Sequence, residues 1–301
     1  MKVIIKSAIF NEREFNEKVQ GIVHELGDGL DLGGLDNIYF TDDFYNDVLY
    51  AQEKYGLRKG VTNDDQNKAF GKVIVKLTDP SRYDIYIRHE ALGRFKNIGK
   101  IDRSLESYLI RHEMCHIHDH NNIGHITKYI KPGVLENDLY TASILWEEYF
   151  VNYLSANTYA LSEDYNMAAL KKSYDNAKIK AVESLVRFKS KSRAITLYND
   201  LHLCISNTAE LLCYSFGLMD GNNQMYINEL LYKYFGKEFD LRIFKLIYKE
   251  LIRLRSIYPK WKDEKELSGL FKLYAEMWEY FGVAYVIEGE NAYIGPCTKF
   301  L

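Results

Sequence analysis

The stretch that decides the fold is residues 104–120, SLESYLIRHEMCHIHDH, which contains the pattern H-E-x-x-H as His112, Glu113 and His116. On an α-helix, residues four apart lie on one face, one turn from each other. Two imidazoles placed in this way can hold one Zn²⁺, and the glutamate between them can take a proton from a zinc-bound water. Leu105 and Leu109 extend the same face, so we expect both histidines to lie on a buried helix face.

The third ligand decides the class of zinc site, because a catalytic zinc normally has three protein ligands and one position open to water. The metzincin pattern would need Gly at position 119 and His at position 122. The sequence has Asp119 and Asn122 there, which excludes that class. His118, His120 and His125 remain candidate ligands. His118 follows the second ligand by only two residues and points about 200° away from it, so we expect it at the surface or beside the ligands.

A stronger candidate lies on the next predicted helix, in the sequence WEEYFVN at residues 146–152. Its two adjacent acids, Glu147 and Glu148, stand among aromatic residues. A carboxylate in an apolar helix is costly unless a cation or hydrogen bonds compensate its burial. Glu148 shares a helix face with Asn152, whereas Glu147 lies about 100° around the helix. We therefore expect Glu148 to be the ligand; the alternative is that one acid is solvated and the other caps a helix or pairs with a lysine.

At this point the sequence resembles a known family. HEMCH followed by EEYFVN resembles the gluzincins, and is similar to the ImmA/IrrE-type bacterial metallopeptidases, in which the H-E-x-x-H helix is followed by a Glu-x-x-Ala-Asn/Asp helix. Val151 stands where that family has Ala, and the segment between the two motifs is long. The resemblance implies Zn²⁺ ligands at His112, His116 and Glu148, Glu113 as general base, and Asn152 as the residue that orients the active-site helix.

The resemblance covers about residues 35–158 and also carries an expectation about the sheet. In zincins a small sheet precedes the metal helix, and its edge strand binds extended peptide by strand addition. The run RYDIYIRH, residues 82–89, alternates apolar and polar side chains and is the expected edge strand. The run at 69–77 is expected to form a hairpin with it through the Asp79-Pro80 turn.

The patterning of the whole chain predicts an α+β fold. Residues 1–160 are expected to form a zincin-like catalytic domain, in which a small antiparallel or mixed sheet precedes the H-E-x-x-H helix. Residues 161–301 read as a mostly α-helical domain or extension with a C-terminal hairpin over 283–295. Residues 121–138, which contain Asn121-Asn122, Gly124 and Pro132-Gly133, read as a loop.

Composition excludes several classes of function. The net charge is −3 and there is no basic tail, so nucleic acid is not an expected partner. The N-terminal apolar run is broken by Lys6 and lacks the features of a signal peptide, and no apolar run approaches the length of a membrane span. Four cysteines without a CxxC pair indicate reduced thiols in a cytoplasmic protein, and Cys115 is expected to serve packing.

These observations together predict a zinc-dependent peptidase that hydrolyses a peptide or protein substrate with a metal-activated water. Asp119 and Asn152 are candidate partners of the liganding histidines, and His125 or a tyrosine could stabilise the oxyanion. One alternative is a regulatory or protein-binding protein on a zincin scaffold, in which the helical region binds a protein partner. Another is a structural helical protein in which H-E-x-x-H is accidental. The sequence gives no indication of the oligomeric state.

Overall fold

A computed structural model describes the chain outside residues 8–9, 11–12, 58–69, 96–103, 128–133, 159–162, 190–193, 224–226, 237–239, 289–290 and 298–301. It also leaves out the side chains of residues 94, 125–127, 134–138, 163–165, 189, 287–288 and 291–292. The fold is α+β, with a mixed sheet near the start of the chain and mostly helices after it, as the sequence predicts.

The sheet is built from four strands with the spatial order β1-β2-β4-β3. Their bounds are β1 Lys2–Lys6, β2 Leu35–Thr41, β3 Gly71–Lys76 and β4 Asp79–Arg88. β1, β2 and β4 run parallel to one another, whereas β3 pairs antiparallel with β4 in the predicted hairpin. The turn of this hairpin lies at residues 77–78 and not at the predicted Asp79-Pro80, which are the first two residues of β4. The sheet is therefore mixed, and its antiparallel strand stands at one edge.

The expectation that residues 82–89 form the edge strand is wrong, because β4 is flanked by β2 on one side and by β3 on the other. Both faces of β4 are also covered, and Tyr83 to Ile87 are all buried. The sequence of β4 alternates apolar and polar residues, which suggested one exposed face. The polar positions Asp84 and Tyr86 are nevertheless buried.

Asp84 is fully buried and is satisfied by three side chains from neighbouring elements. It accepts hydrogen bonds from Asn37 Nδ2 and from Tyr55 Oη, each at 2.8 Å, and lies 3.1 Å from Lys76 Nζ. Because every partner is a donor or a cation, the network compensates the cost of burying this carboxylate. The network links β2, β3 and β4 to Tyr55, the residue that follows α2.

Helices cover both faces of the sheet. Their bounds are α1 Arg13–Leu26, α2 Phe44–Lys54, α3 Glu90–Phe95 and α4 Leu105–Thr127. One apolar core joins residues of α1 and α4 to one face, among them Val19, Val23, Ile110 and Met114. A smaller core places α2 on the other face through Phe44 and Val48. Helix α4, which carries His112 and His116, is therefore held against a sheet along its apolar side.

α4 is longer than the sequence predicts, because it continues to Thr127 through the Asn-Asn and Gly positions that indicate a loop. The asparagine side chains there have specific partners. Asn122 Nδ2 donates to the His118 carbonyl at 2.8 Å, and Asn121 Nδ2 donates to the Gly33 carbonyl at 2.9 Å. The Asn121 amide thus bonds a carbonyl outside α4, and the Asn122 amide bonds a carbonyl one turn back within α4. Neither amide bond turns the chain out of the helix, so the local turn signal fails here.

The rest of the chain is mainly helical. Its elements are α5 Val134–Ser155, α6 Glu163–Lys189, α7 Ala194–Gly221, α8 Ile227–Phe235, α9 Arg242–Ile257, α10 Ser268–Met277, β5 Val283–Glu288 and β6 Asn291–Pro296. β5 and β6 form the antiparallel hairpin predicted for residues 283–295. Large aromatic side chains fill the core of this part, including Trp146, Phe216, Phe244 and Trp278. Within the described ranges, every helix is too short or too polar to cross a membrane.

The chain divides into two compact units. The first contains residues 1–122 and 154–160, and the second contains residues 123–153 and 161–301. The functional division at residue 160, with a catalytic domain before it and a helical extension after it, stays a prediction.

Candidate metal centre

The two histidines of the motif lie side by side on α4. The Nε2 atoms of His112 and His116 are 3.1 Å apart, and their ring planes are nearly perpendicular, at 83°. Two nitrogens bound to one tetrahedral zinc at about 2.0–2.1 Å stand roughly 3.3 Å apart. The pair therefore has nearly the separation that a shared metal requires. His112 exposes only 9% of its surface, whereas His116 is half-buried, so the pair stays partly open to solvent.

The face that carries these histidines differs from the predicted one at its beginning. Leu105 is 42% exposed, so the buried side of α4 is not a simple extension of the leucine positions. Instead Ile110, Met114 and Ile117 are the buried residues that pack against the sheet. The histidines stand beside this apolar contact and are positioned by it.

Polar contacts fix α4 just before the first histidine. Arg111 Nη1 donates to the carbonyl of Leu26 at 2.5 Å, and Arg111 Nε donates to the carbonyl of Leu154 at 3.3 Å. Cys115, between the histidines, is fully buried, and Ser155 Oγ donates to its sulfur at 3.4 Å. Burial raises the pKa of the Cys115 thiol to about 11, so the thiol is protonated and serves packing, as predicted.

Glu113 lies against the first residue of the edge strand β3. A Cβ atom built on Gly71 would stand 2.7 Å from Glu113 Cγ and 2.9 Å from its Cδ and Oε1. Gly71 is buried, so this contact is part of the packed interior. The side chain of the predicted general base thus occupies space that only glycine leaves open at position 71.

Glu148 is held on α5 by the asparagine one turn later. Asn152 is fully buried, and its Nδ2 donates to the Glu148 carbonyl at 2.5 Å and lies 3.5 Å from Glu148 Oε2. The helix is in turn packed closely on α7, because a Cβ on Gly217 would lie 2.2 Å from the Tyr149 carbonyl oxygen and 2.9 Å from Asn152 Cβ. The backbone around Glu148 is therefore fixed by a close helix crossing.

A buried polar network supports the same part of α5. Tyr149 Oη donates to Asp220 Oδ2 at 2.5 Å, and Arg255 also pairs with that carboxylate. Burial, together with the hydrogen bond to Asp220, raises the pKa of Tyr149 well above its ordinary value. Tyr149 therefore stays a neutral donor and holds α5 to α7 next to the Glu148 position.

The structure brings together three of the predicted site residues as a possible metal-binding group. One ligand atom from each of His112, His116 and Glu148 lies within 4.8 Å of the other two, and no other such group of three is found among the described residues. Glu147 is not part of this group. Two imidazole nitrogens and one carboxylate oxygen form a donor set typical of catalytic zinc.

The remaining histidines of the region have other surroundings. His118 is half-buried, and its Nδ1 accepts a hydrogen bond from the backbone N–H of Asp31 at 2.8 Å, so it tethers the glycine-rich loop after α1. Burial lowers the pKa of His118, which favours this neutral acceptor. His120 is exposed, with its ring edge on Tyr83. The side chain of His125 lies outside the described residues, and Asp119 is buried on α4.

Comparisons with protein-family models, with curated proteins and with solved structures find no match. The resemblance to the gluzincins therefore stays a prediction from the two motifs, and what the site can do has to be argued from its own residues.

One further acid near Glu148 was not predicted. Glu210 on α7 is partly buried, and burial, together with the negative charge of Glu148, raises its pKa to about 7. Its sequence context, AELLC, shows the signal that pointed to Glu148, an acid among apolar residues. Gly71 and Gly217 have no comparable signal, because their importance depends on partners that are distant in sequence.

Proposed function

We propose that the chain is a zinc-dependent peptidase, with Zn²⁺ held by His112, His116 and Glu148. The observation that carries the proposal is the convergence of these three ligand atoms within 4.8 Å of one another. The 3.1 Å separation of the histidine nitrogens fits the donor spacing of a shared metal, and the bond from Asn152 steadies the carboxylate. The number and type of the donors, and the spacing of the two histidine nitrogens, support zinc as the metal.

Zinc bound by three protein groups lowers the pKa of a coordinated water to about 7 and polarises a substrate carbonyl. The chain's own contribution to proton transfer comes from Glu113. Its carboxylate accepts a proton from the attacking water and returns it to the leaving amine. The contact with Gly71 on one side and the turn of α4 on the other restrict where that carboxylate can stand. Glu113 is therefore assigned as general base and not as a ligand.

The sheet also suggests how an extended substrate could be recognised. Among the described strands β3 stands at an edge, and it begins at the residue that contacts Glu113. An edge strand offers unpaired backbone groups to which an extended peptide can add. In this proposal β3 replaces residues 82–89 as the strand that aligns the substrate.

The test compares the wild-type chain with Glu113→Gln and His116→Ala in metal analysis and in cleavage of a peptide library. Wild type and Glu113→Gln should each hold about one equivalent of zinc, because the three ligands are intact. Cleavage by Glu113→Gln should fall by about 10²–10⁴-fold, the usual cost of losing a general base. His116→Ala should lose most of the zinc.

Three results would count against the proposal. Zinc content that does not change in His116→Ala would remove the metal site. Equal cleavage by wild type and Glu113→Gln would show that H-E-x-x-H is not catalytic. Zinc retained by both proteins with no cleavage by either would favour the regulatory protein on a zincin scaffold.

A further inference from the structure

Gly71 is the feature from which a further role follows. It begins the edge strand β3 and is buried, and the atoms nearest to its missing side chain are Cγ, Cδ and Oε1 of Glu113. The closest approach, 2.7 Å, is shorter than carbon atoms tolerate without movement. Any side chain at position 71 would therefore collide with the body of the Glu113 side chain as well as with its tip.

The strand cannot easily move to relieve such a collision. Gly71 is paired with Ile87 in the antiparallel ladder, and the N–H of Arg88 donates to the carbonyl of Phe70 at 3.0 Å. Ile87 is fully buried on the central strand β4. Since a side-chain torsion costs much less than breaking a ladder, Glu113 would be the group that yields.

We infer that Gly71 is a positioning residue for Glu113: the missing side chain at the start of β3 sets where the carboxylate of the general base stands. The steric part of this inference is independent of metal and of catalysis. Its consequence for hydrolysis rests on the proposed function. Movement of a catalytic group by about 1 Å can cost roughly 10²-fold in rate, so even a methyl group at position 71 should matter.

The first experiment measures thermal unfolding of the full-length chain in a chelating buffer, with Gly71→Ala introduced into three backgrounds. In wild type and in Glu113→Gln, which has the same volume, the alanine should lower the unfolding midpoint by about 2–4 °C. In Glu113→Ala, which removes Cγ and Cδ, the loss should disappear. An equal effect in all three backgrounds, including no effect, would overturn the inference.

The second experiment measures zinc content and hydrolysis by Gly71→Ala. Zinc should stay bound while hydrolysis falls by about 10²-fold. Gly93→Ala is the matched control, because a Cβ on that glycine meets nothing within 4 Å. Unchanged hydrolysis by Gly71→Ala would contradict the positioning role. If Glu113→Gln proved as active as wild type, the proposed function would fail, and the unfolding experiment would still decide the steric contact.

Discussion

At the scale of single residues, the adjacent glutamates of α5 give the most direct test of the ligand set. Glu148 belongs to the group formed with the two histidines and is held by Asn152, whereas Glu147 does not belong to it. Glu148→Ala should therefore weaken zinc binding by more than the roughly 10–100-fold expected for losing an outer partner. Glu147→Ala is the matched control and should bind zinc nearly as wild type does. Competition titration with a zinc chelator measures both, and the reverse order would place the ligand one residue away.

Asp84 provides a second prediction at this scale, one that concerns stability. Asp84→Ala would leave Lys76 and Tyr55 without the buried carboxylate that they share. Lys76 would keep its second ion pair, with Asp36 at 2.7 Å, but the Tyr55 hydroxyl and the Asn37 amide would lose a buried acceptor. The free energy of unfolding should therefore fall by about 1–3 kcal/mol. Urea denaturation measures the change. Asp79→Ala, at the exposed first residue of β4, should leave stability nearly unchanged, and a similar loss in both variants would argue against the buried network.

At the scale of elements, the crossing of α5 and α7 determines where Glu148 stands. Gly217→Ala would place a methyl group against the backbone of Tyr149, which cannot rotate away. The helices would have to separate, and we expect a loss of about 1–3 kcal/mol in unfolding free energy together with weaker zinc binding. Gly21→Ala on α1, where a Cβ meets nothing within 4 Å, controls for glycine replacement in a helix. Wild-type stability and zinc affinity in Gly217→Ala would show that this crossing does not set the ligand.

A comparison of the predicted and observed helices and strands shows which parts of the fold the sequence can predict. Periodicity and turn residues predicted the hairpin of β3 and β4 and the helix of the H-E-x-x-H motif, because these signals are local. β1 was missed, since the short run Lys2–Lys6 becomes a strand only by pairing with β2 from a distant part of the chain. The position of β4 inside the sheet was missed for the same reason. Spacing along a helix gave His112 and His116, but the glycine that touches Glu113 could be found only in three dimensions.

At the scale of the whole molecule, stability should decrease in acid because partial burial favours the neutral form of His202. His202 stacks on Tyr198 at 4.8 Å, and burial lowers its pKa below the ordinary 6.5. A depressed histidine pKa means that the unfolded chain takes up a proton before the folded chain does. The stabilisation is complete above pH 6.5 and is lost as the pH falls towards the folded pKa.

The measurement is urea unfolding of wild type and His202→Gln at about pH 7.5 and about pH 5.5. Wild type should lose more stability between the two conditions than the variant, because the glutamine does not titrate. An identical loss in both proteins would assign the acid sensitivity to other groups.

The order in which the chain is synthesised gives the crossing of α5 and α7 a further meaning. During translation His112, Glu113 and His116 are made first and Glu148 soon afterwards. Gly217, which allows α7 to pack closely on α5, is made much later. Trp146 and Phe150 of α5 pack on Trp261 and Tyr258, which are made later still. Until then these aromatic side chains lack their native neighbours, and exposed apolar surface of this kind is what chaperones bind. Under the proposed function, a nascent chain would carry Glu113 long before α5 is held in place. Hydrolysis would then stay latent until α7 and the aromatic residues at 258 and 261 have been synthesised.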